Sequence, residues 1–346
     1  MPATPKAIPV SEPDISGNEK KYVLDCIETG WISSLGSYVT DFEEKFSRYC
    51  GAKHGVAVNN GTSALHLALA ACGIGKGDEV IIPDMTFIAT ANVIAYLGGT
   101  PVFVDAEPRT WNIDVTKIKS KITKKTKAIM PVHLYGHPCD MDPLRELAEE
   151  NGLLIIEDAA EAHGAEYKGK KVGALGTVGC FSFYGNKVIT TGEGGMCVTN
   201  DEELAERMRL LKDHGMSAKK RYWHTVTGFN FRMTNIQAAI GVAQLEKIDQ
   251  FIATKRVNAA LYNKLLAGVK GGGVHRVLDN SLLIVGVGVV DHRPHGDHQR
   301  DRCDCEHRRD GAIGAAEKPP QETGCHRSLQ YPYEPRKLAA ALLRNG

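Results

Sequence analysis

The sequence predicts an α/β protein: a large αβα domain on a mainly parallel mixed sheet, followed by a smaller C-terminal domain. Three observations carry that expectation. Short apolar runs alternate with amphipathic stretches through the first two-thirds of the 346 residues, the βαβα order of a parallel sheet with helices on both faces. A run such as Leu153–Ile156 is apolar throughout, as strands covered on both faces are. Acidic and small polar residues follow directly after such runs, where open α/β sheets place their ligands. The large domain is expected over residues 1–240, and a bridging helix with a small domain over 241–346.

The elements follow in order. His54–Asn60 reads as a short strand, and Gly61-Thr62-Ser63 opens a helix carrying Leu65, Leu67 and Leu69. Glu79–Pro83 reads as a strand, Thr86–Leu97 as a helix and Thr100–Asp105 as a strand. Lys127–Val132 is another strand and Asp142–Asn151 a helix. Leu153–Glu157 is a buried strand bounded by Gly152 and by the acidic pair Glu157 and Asp158. Asp201 caps an amphipathic helix over Asp201–Asp213. Met233–Leu266 reads as one long helix, with Ile236, Ile240, Ala243, Ile248 and Phe251 on an apolar face.

Lys187 sits in F-S-F-Y-G-N-K-V-I-T-T-G-E-G-G-M, among small and polar residues, with Gly192, Gly194 and Gly195 close behind. A lysine that bonds to an aldehyde cofactor must shed its proton, and a Gly-rich turn leaves room for a flat ligand beside it. A solvated lysine at a strand end is the bland alternative. Asp158, at the carboxyl end of the strand about thirty residues upstream, can hold a pyridinium nitrogen protonated; helix capping at the strand exit is its alternative use. Gly61, Thr62 and Ser63 at a helix start offer free N–H groups to an anion, or ordinary capping. Neither a Walker loop nor a G-x-G-x-x-G fingerprint follows that strand, so a bare phosphate handle suits a cofactor with one phosphate. Together the three stretches favour a pyridoxal phosphate site.

From about Ile15 to about Lys264 the chain resembles the DegT/StrS family of sugar aminotransferases. The resemblance rests on G-W-I-S-S-L-G at Gly30, G-T-S-A-L at Gly61, P-V-H-L-Y-G at Pro131 and E-D-A-A-E-A at Glu157. It continues through F-S-F-Y-G-N-K at Phe181 and G-F-N-F-R-M-T-N-I-Q-A-A at Gly228. It implies the aspartate aminotransferase-like fold, fold type I of the pyridoxal phosphate enzymes. Lys187 would carry the cofactor covalently and shuttle the proton between cofactor and substrate. Asp158 would pair with the pyridine nitrogen, and Glu161 would sit near the ring hydroxyl, where many relatives have Gln. Phe87 would stack on the ring, and Gly61, Thr62 and Ser182 would hold the phosphate. Asn230 would reach across from the partner subunit of a homodimer with shared active sites. His133 has no assigned role and is expected to be a packed histidine.

Within the family the wording is nearest to members that transfer an amino group from glutamate to C4 of GDP-4-keto-6-deoxymannose, a step toward O-antigen and related lipopolysaccharide. Alternatives are an aminotransferase on another nucleotide keto-sugar, a sugar dehydratase and an inactive paralogue with a damaged C-terminal domain. Dehydratase relatives carry histidine at the position of Lys187, so the lysine favours transamination.

Lys+Arg 42 against Asp+Glu 41 gives no field for nucleic acid or a membrane surface. The N-terminal residues lack the apolar core of a signal peptide, and no run approaches a membrane span. Nine cysteines without a C-x-x-C pair fit reduced thiols in the cytoplasm.

After about residue 268 the pattern changes to crowded charged, Pro and Gly residues, which reads as a shifted frame or an otherwise scrambled tail. His292, His295, His298, Cys303, Cys305 and His307 offer a metal-binding alternative there, but their spacing matches no common structural zinc site, and no metal is expected.

Overall fold

The computed structural model describes residues 11–266. The tail after residue 268, with its frame question and its His/Cys series, lies outside the described residues. Helices α1 (Glu19–Thr29) and α2 (Ser37–Cys50) lead into strand β1 (His54–Val58), helix α3 (Gly61–Ala71) and strand β2 (Glu79–Pro83). Helix α4 (Ala89–Tyr96), strand β3 (Thr100–Val104), the short helix α5 (Val115–Ile118), strand β4 (Thr126–Ile129) and helix α6 (Met141–Asn151) follow. Next come strand β5 (Leu154–Asp158), the two-residue strands β6 (Glu166–Tyr167) and β7 (Lys170–Lys171), and strands β8 (Val178–Ser182) and β9 (Gly195–Thr199). Helices α7 (Glu202–Lys212), α8 (Asn235–Leu245) and α9 (Ile248–Leu266) complete the described chain.

The main sheet has seven strands in the order β1-β9-β8-β5-β4-β2-β3. Only β9 runs against its neighbours; β8, β5, β4, β2 and β3 pair in parallel. The expected mainly parallel mixed sheet is therefore present. Successive residues of one strand enter different cores. Val80 and Ile82 pack with α3 and α4, whereas Ile81 packs with Met141 and Leu144 of α6. Toward the β1 side the second layer is Phe42 and Phe46 of α2 with Ala238 and Val242 of α8, against Phe181, Met196 and Val198. Burial on both faces is why Val56–Val58, Val80–Ile82 and Ile155–Ile156 are unbroken apolar runs.

Three expected elements differ by more than two residues or divide. The helix expected over Thr86–Leu97 begins at Ala89, leaving Thr86 and Phe87 in the turn after β2. The strand expected over Lys127–Val132 ends at Ile129. Pro131 has no N–H for a ladder, although its carbonyl accepts from the Asp158 amide at 2.9 Å. The long helix expected over Met233–Leu266 is two helices, α8 and α9. Thr234 and Gln237 form a capping box that starts α8 two residues late. Between the helices, Glu246 is drawn to Asn18 and Tyr22, each at 2.6 Å, and Lys247 reaches Asp14 and Ser16. Its packing face also differs: Ala238, Ala239, Val242 and Ala243 are buried, while Ile236 and Ile240 are only partly so. Long-range contacts with the N-terminal segment occupy the break, and no local Gly or Pro marks it. Among the described residues no helix is long and apolar enough to cross a membrane.

Candidate active site

Segments leaving β1, β2, β5 and β8 meet at one end of the sheet, around a cleft of about 690 Å³. Gly61, Thr62, Phe87, Asp158, Glu161, Ser182 and Lys187 all line it. A space of that size suits a small-molecule ligand.

One wall is an anion cradle. Asn60 caps α3, its Oδ1 accepting from the Ser63 amide at 2.7 Å. Gly61 and Thr62 are the first residues of that helix, where amides have no carbonyl one turn back, and they open on the cleft. Glycine is required at Gly61 because a Cβ there would stand 2.6 Å from Cβ of Ser182. Gly195, which pairs with both Val58 and Ser182, is equally constrained: a Cβ would lie 2.4 Å from the Asn60 carbonyl oxygen. These two contacts lock the helix start against the end of β8.

Asp158 is the last residue of β5 and is buried. Its Oδ2 accepts from Thr90 Oγ1 at 2.8 Å and its Oδ1 from the Ala160 amide at 3.2 Å. No helix begins after it, so the capping alternative falls away. Burial pushes its carboxyl above the ordinary carboxylate range, opposed by the Thr90 and Ala160 hydrogen bonds; Glu161 adds to the rise and Lys187 opposes it.

Lys187 stands on the loop joining β8 to β9. The loop is pinned by Phe183 N–H to the Gly194 carbonyl at 2.8 Å, Thr191 N–H to the Phe183 carbonyl at 2.9 Å, and Thr190 Oγ1 to that same carbonyl at 2.9 Å. Lys187 is not a solvated lysine: its side chain is 13% exposed and Nζ lies 3.3 Å from Glu161 Oε1. The other Glu161 oxygen accepts from the Tyr135 amide at 2.9 Å. Tyr135 has φ 51°, a left-handed backbone uncommon outside glycine. Phe87 is 75% exposed at the cleft, a ring face free to cover a flat ligand.

Two further expectations concern residues outside this set. Asn230 does not line the cleft of its own chain; its Oδ1 accepts from Arg232 Nε at 3.1 Å and its backbone bridges to Asp213. His133 is packed, as expected. It is fully buried, its Nδ1 accepts from the Cys139 amide at 3.1 Å, and its Nε2 lies 3.0 Å from Glu157 Oε2. With Nδ1 accepting, the ring proton sits on Nε2 and is donated to Glu157. Glu157 also accepts from the Gly173, Leu175 and Gly176 amides, which fixes the loop behind β5.

Residue patterns alone missed Thr86, Thr90 and Tyr135. The Thr86-x-x-x-Thr90 spacing is a weak signal that two hydroxyls share a helical face. Nothing local to Tyr135 signals its role.

The donor set fits pyridoxal phosphate. Gly61, Thr62 and Ser182 present amides and a hydroxyl of the kind one phosphate needs, and the buried Asp158 carboxyl borders the same cleft, as a ring nitrogen would require. Among the described residues, Lys187 is the one lysine that lines the same space. A profile of the DegT/DnrJ/EryC1/StrS aminotransferase family matches residues 13–293. The GDP-perosamine synthase of Caulobacter vibrioides is 58% identical over 260 residues, 75% of this chain and 70% of that protein. The GDP-perosamine synthase of Escherichia coli O157:H7 is 55% identical over 259 residues, 75% of this chain and 71% of that protein. Spr1654 of Streptococcus pneumoniae, solved in its PLP form, superposes with a TM-score of 0.73 at 32% identity, covering 77% of this chain and 72% of that one.

Proposed function

From the premise that this chain belongs to the DegT/DnrJ/EryC1/StrS aminotransferase family and is a pyridoxal-phosphate-dependent transaminase, we propose that it aminates GDP-4-keto-6-deoxy-D-mannose at C4, giving GDP-perosamine. The amino donor in this proposal is glutamate, and the enzyme works in the cytoplasm as a homodimer. The observation that carries the substrate is identity above half to two proteins named GDP-perosamine synthase. The observation that carries the chemistry is Lys187 facing Glu161 in the cleft that Asp158 also lines.

Bound in this cleft, the cofactor supplies an electron sink for the carbon that loses or gains a proton. The protein's part falls to named side chains. The Gly61 and Thr62 amides and the Ser182 hydroxyl would hold the phosphate, with the α3 dipole adding to the attraction. Phe87 would cover one ring face, and Asp158 would hold the proton at the ring nitrogen. Lys187 Nζ would anchor the cofactor, then take a proton from one carbon and return it to the other. A free lysine has a pKa near 10.4 and is a poor base at neutral pH, so Lys187 must lose its proton when it becomes the anchor. Glu161, held by the Tyr135 amide, keeps the lysine directed into the cleft between those events.

Purified protein given GDP-4-keto-6-deoxymannose and glutamate should form the amino-sugar nucleotide and 2-oxoglutarate, read by mass. Absence of the amino sugar, with product from another nucleotide keto-sugar, would reassign the substrate and leave the chemistry intact. The shared site has its own test. In a dimer where Asn230 serves the partner's cleft, inactive Lys187→Ala and Asn230→Ala chains refolded together should regain a measurable part of the activity, because each hybrid holds one intact site. No recovery in verified hybrids would show that Asn230 does not serve the partner's cleft.

A further inference from the structure

The turn after β2 and the start of α4 carry two hydroxyls to which no part in the reaction has been given. Thr90 is completely buried, and its Oγ1 lies 2.8 Å from Asp158 Oδ2. Thr86, one turn earlier and at the cleft, has its Oγ1 2.7 Å from Oγ1 of Thr90. A carboxylate can only accept, so the Thr90 proton is committed to Asp158. The Thr90 oxygen then accepts from Thr86, whose alternative acceptor, the Phe87 carbonyl, is more distant at 3.4 Å. The order Thr86 to Thr90 to Asp158 is therefore set by the charge at its inner end. Phe87 lies between the two threonines in sequence, so one turn presents a ring face to the cleft and ties down the carboxylate beneath it.

We infer that Thr90 is a positioning residue for the reaction: with Thr86 it forms a two-hydroxyl relay that orients the Asp158 carboxylate and keeps it ionised. The inference rests on the assignment of Asp158 to the ring nitrogen. Other groups facing Asp158 are Glu161 and Lys187 across the cleft and the Cys180 thiol from β8, its register partner. Glu161 and the burial of the site favour the neutral acid; Thr90, the Ala160 amide and Lys187 favour the anion. Ala160 donates from the neighbouring backbone and cannot be removed by a side-chain change, which leaves Thr90 as the adjustable donor. Losing a hydrogen bond to a charged group moves its titration by about one pH unit or more.

The test uses the full chain loaded with pyridoxal phosphate, following the bound cofactor's absorbance and its dissociation constant across pH. Thr90→Val should move the acidic transition upward by roughly one pH unit and weaken cofactor binding most on the acid side. Thr90→Ser should restore the wild-type curve. Thr86→Val should move it the same way but less, and adding Thr86→Val to Thr90→Val should change nothing more, because the relay is already cut. An unmoved transition in folded Thr90→Val overturns the inference, and additive shifts in the double variant overturn the relay. Should Thr90→Val not fold, Thr86→Val against wild type decides, and an unmoved curve there counts against the relay. Wild type that never acquires a cofactor band would instead remove the assignment on which the inference stands.

Discussion

Lys187→Ala is expected to abolish turnover while leaving the fold and noncovalent cofactor binding in place. Positioned proton transfer alone is worth about 10² to 10⁴ in rate, and the variant also loses the covalent anchor, so kcat should fall by roughly 10⁴ or more. Little else should change. The loop is held by backbone and threonine contacts that do not involve the lysine side chain, and Glu161 keeps the Tyr135 amide on its second oxygen. Lys187→Arg separates charge from chemistry. It preserves a cation opposite Glu161, but its guanidinium does not give up a proton, so it should be as inactive as the alanine variant. Borohydride reduction followed by peptide mass analysis should trap the cofactor on Lys187 in wild type and in neither variant. Activity comparable to wild type in either one would refute the assignment.

Asp158→Asn is expected to cost turnover far more than binding. The amide is nearly isosteric: its oxygen can still accept from the Ala160 amide and its NH2 can donate to the Thr90 hydroxyl oxygen once that hydroxyl turns, so the packing beneath the cleft persists. It is uncharged, however, and cannot hold a proton on a ring nitrogen. A preorganised charge in a buried site typically contributes on the order of 10² to 10³ in kcat, and a loss of that size is expected, with the cofactor dissociation constant changing much less. Because burial holds the wild-type carboxyl above the ordinary range, wild-type activity should fall on the acid side as Asp158 protonates. The Asn variant, with no proton to gain, should lose that limb. A full transamination rate in Asp158→Asn would remove the electron-sink role.

Much of the fold was legible because burial on both faces writes itself into every position of a strand. Glu79–Pro83 has the bounds expected of it, and the other expected strands differ by no more than a few residues at an end, whereas β6 to β9 had no strand expected at their positions. Helix termini with a local chemical signal were equally plain: Asp201 caps α7, its side chain accepting from the Leu204 amide at 3.0 Å. Failures occur where a distant partner decides. The break between α8 and α9 depends on Asn18, Tyr22, Asp14 and Ser16, more than two hundred residues away. The end of β4 depends on how Pro131 meets β5.

The site divides along the same line. Lys187, Asp158 and the Gly61 triplet each carry a local signature, a charged or small residue at the exit of an apolar run, and they could be named from the chain alone. Sequence order also determined the parallel sheet that brings those exits to one end. Tertiary structure alone decided that Glu161 pairs with the lysine, and that Gly61 must be glycine because Ser182 stands against it. It alone joined Thr90 to Asp158 across 68 residues. Hydrophobic periodicity is a property of neighbours along the chain, whereas a hydrogen bond between elements depends on ångström-scale separations that only the packed core sets.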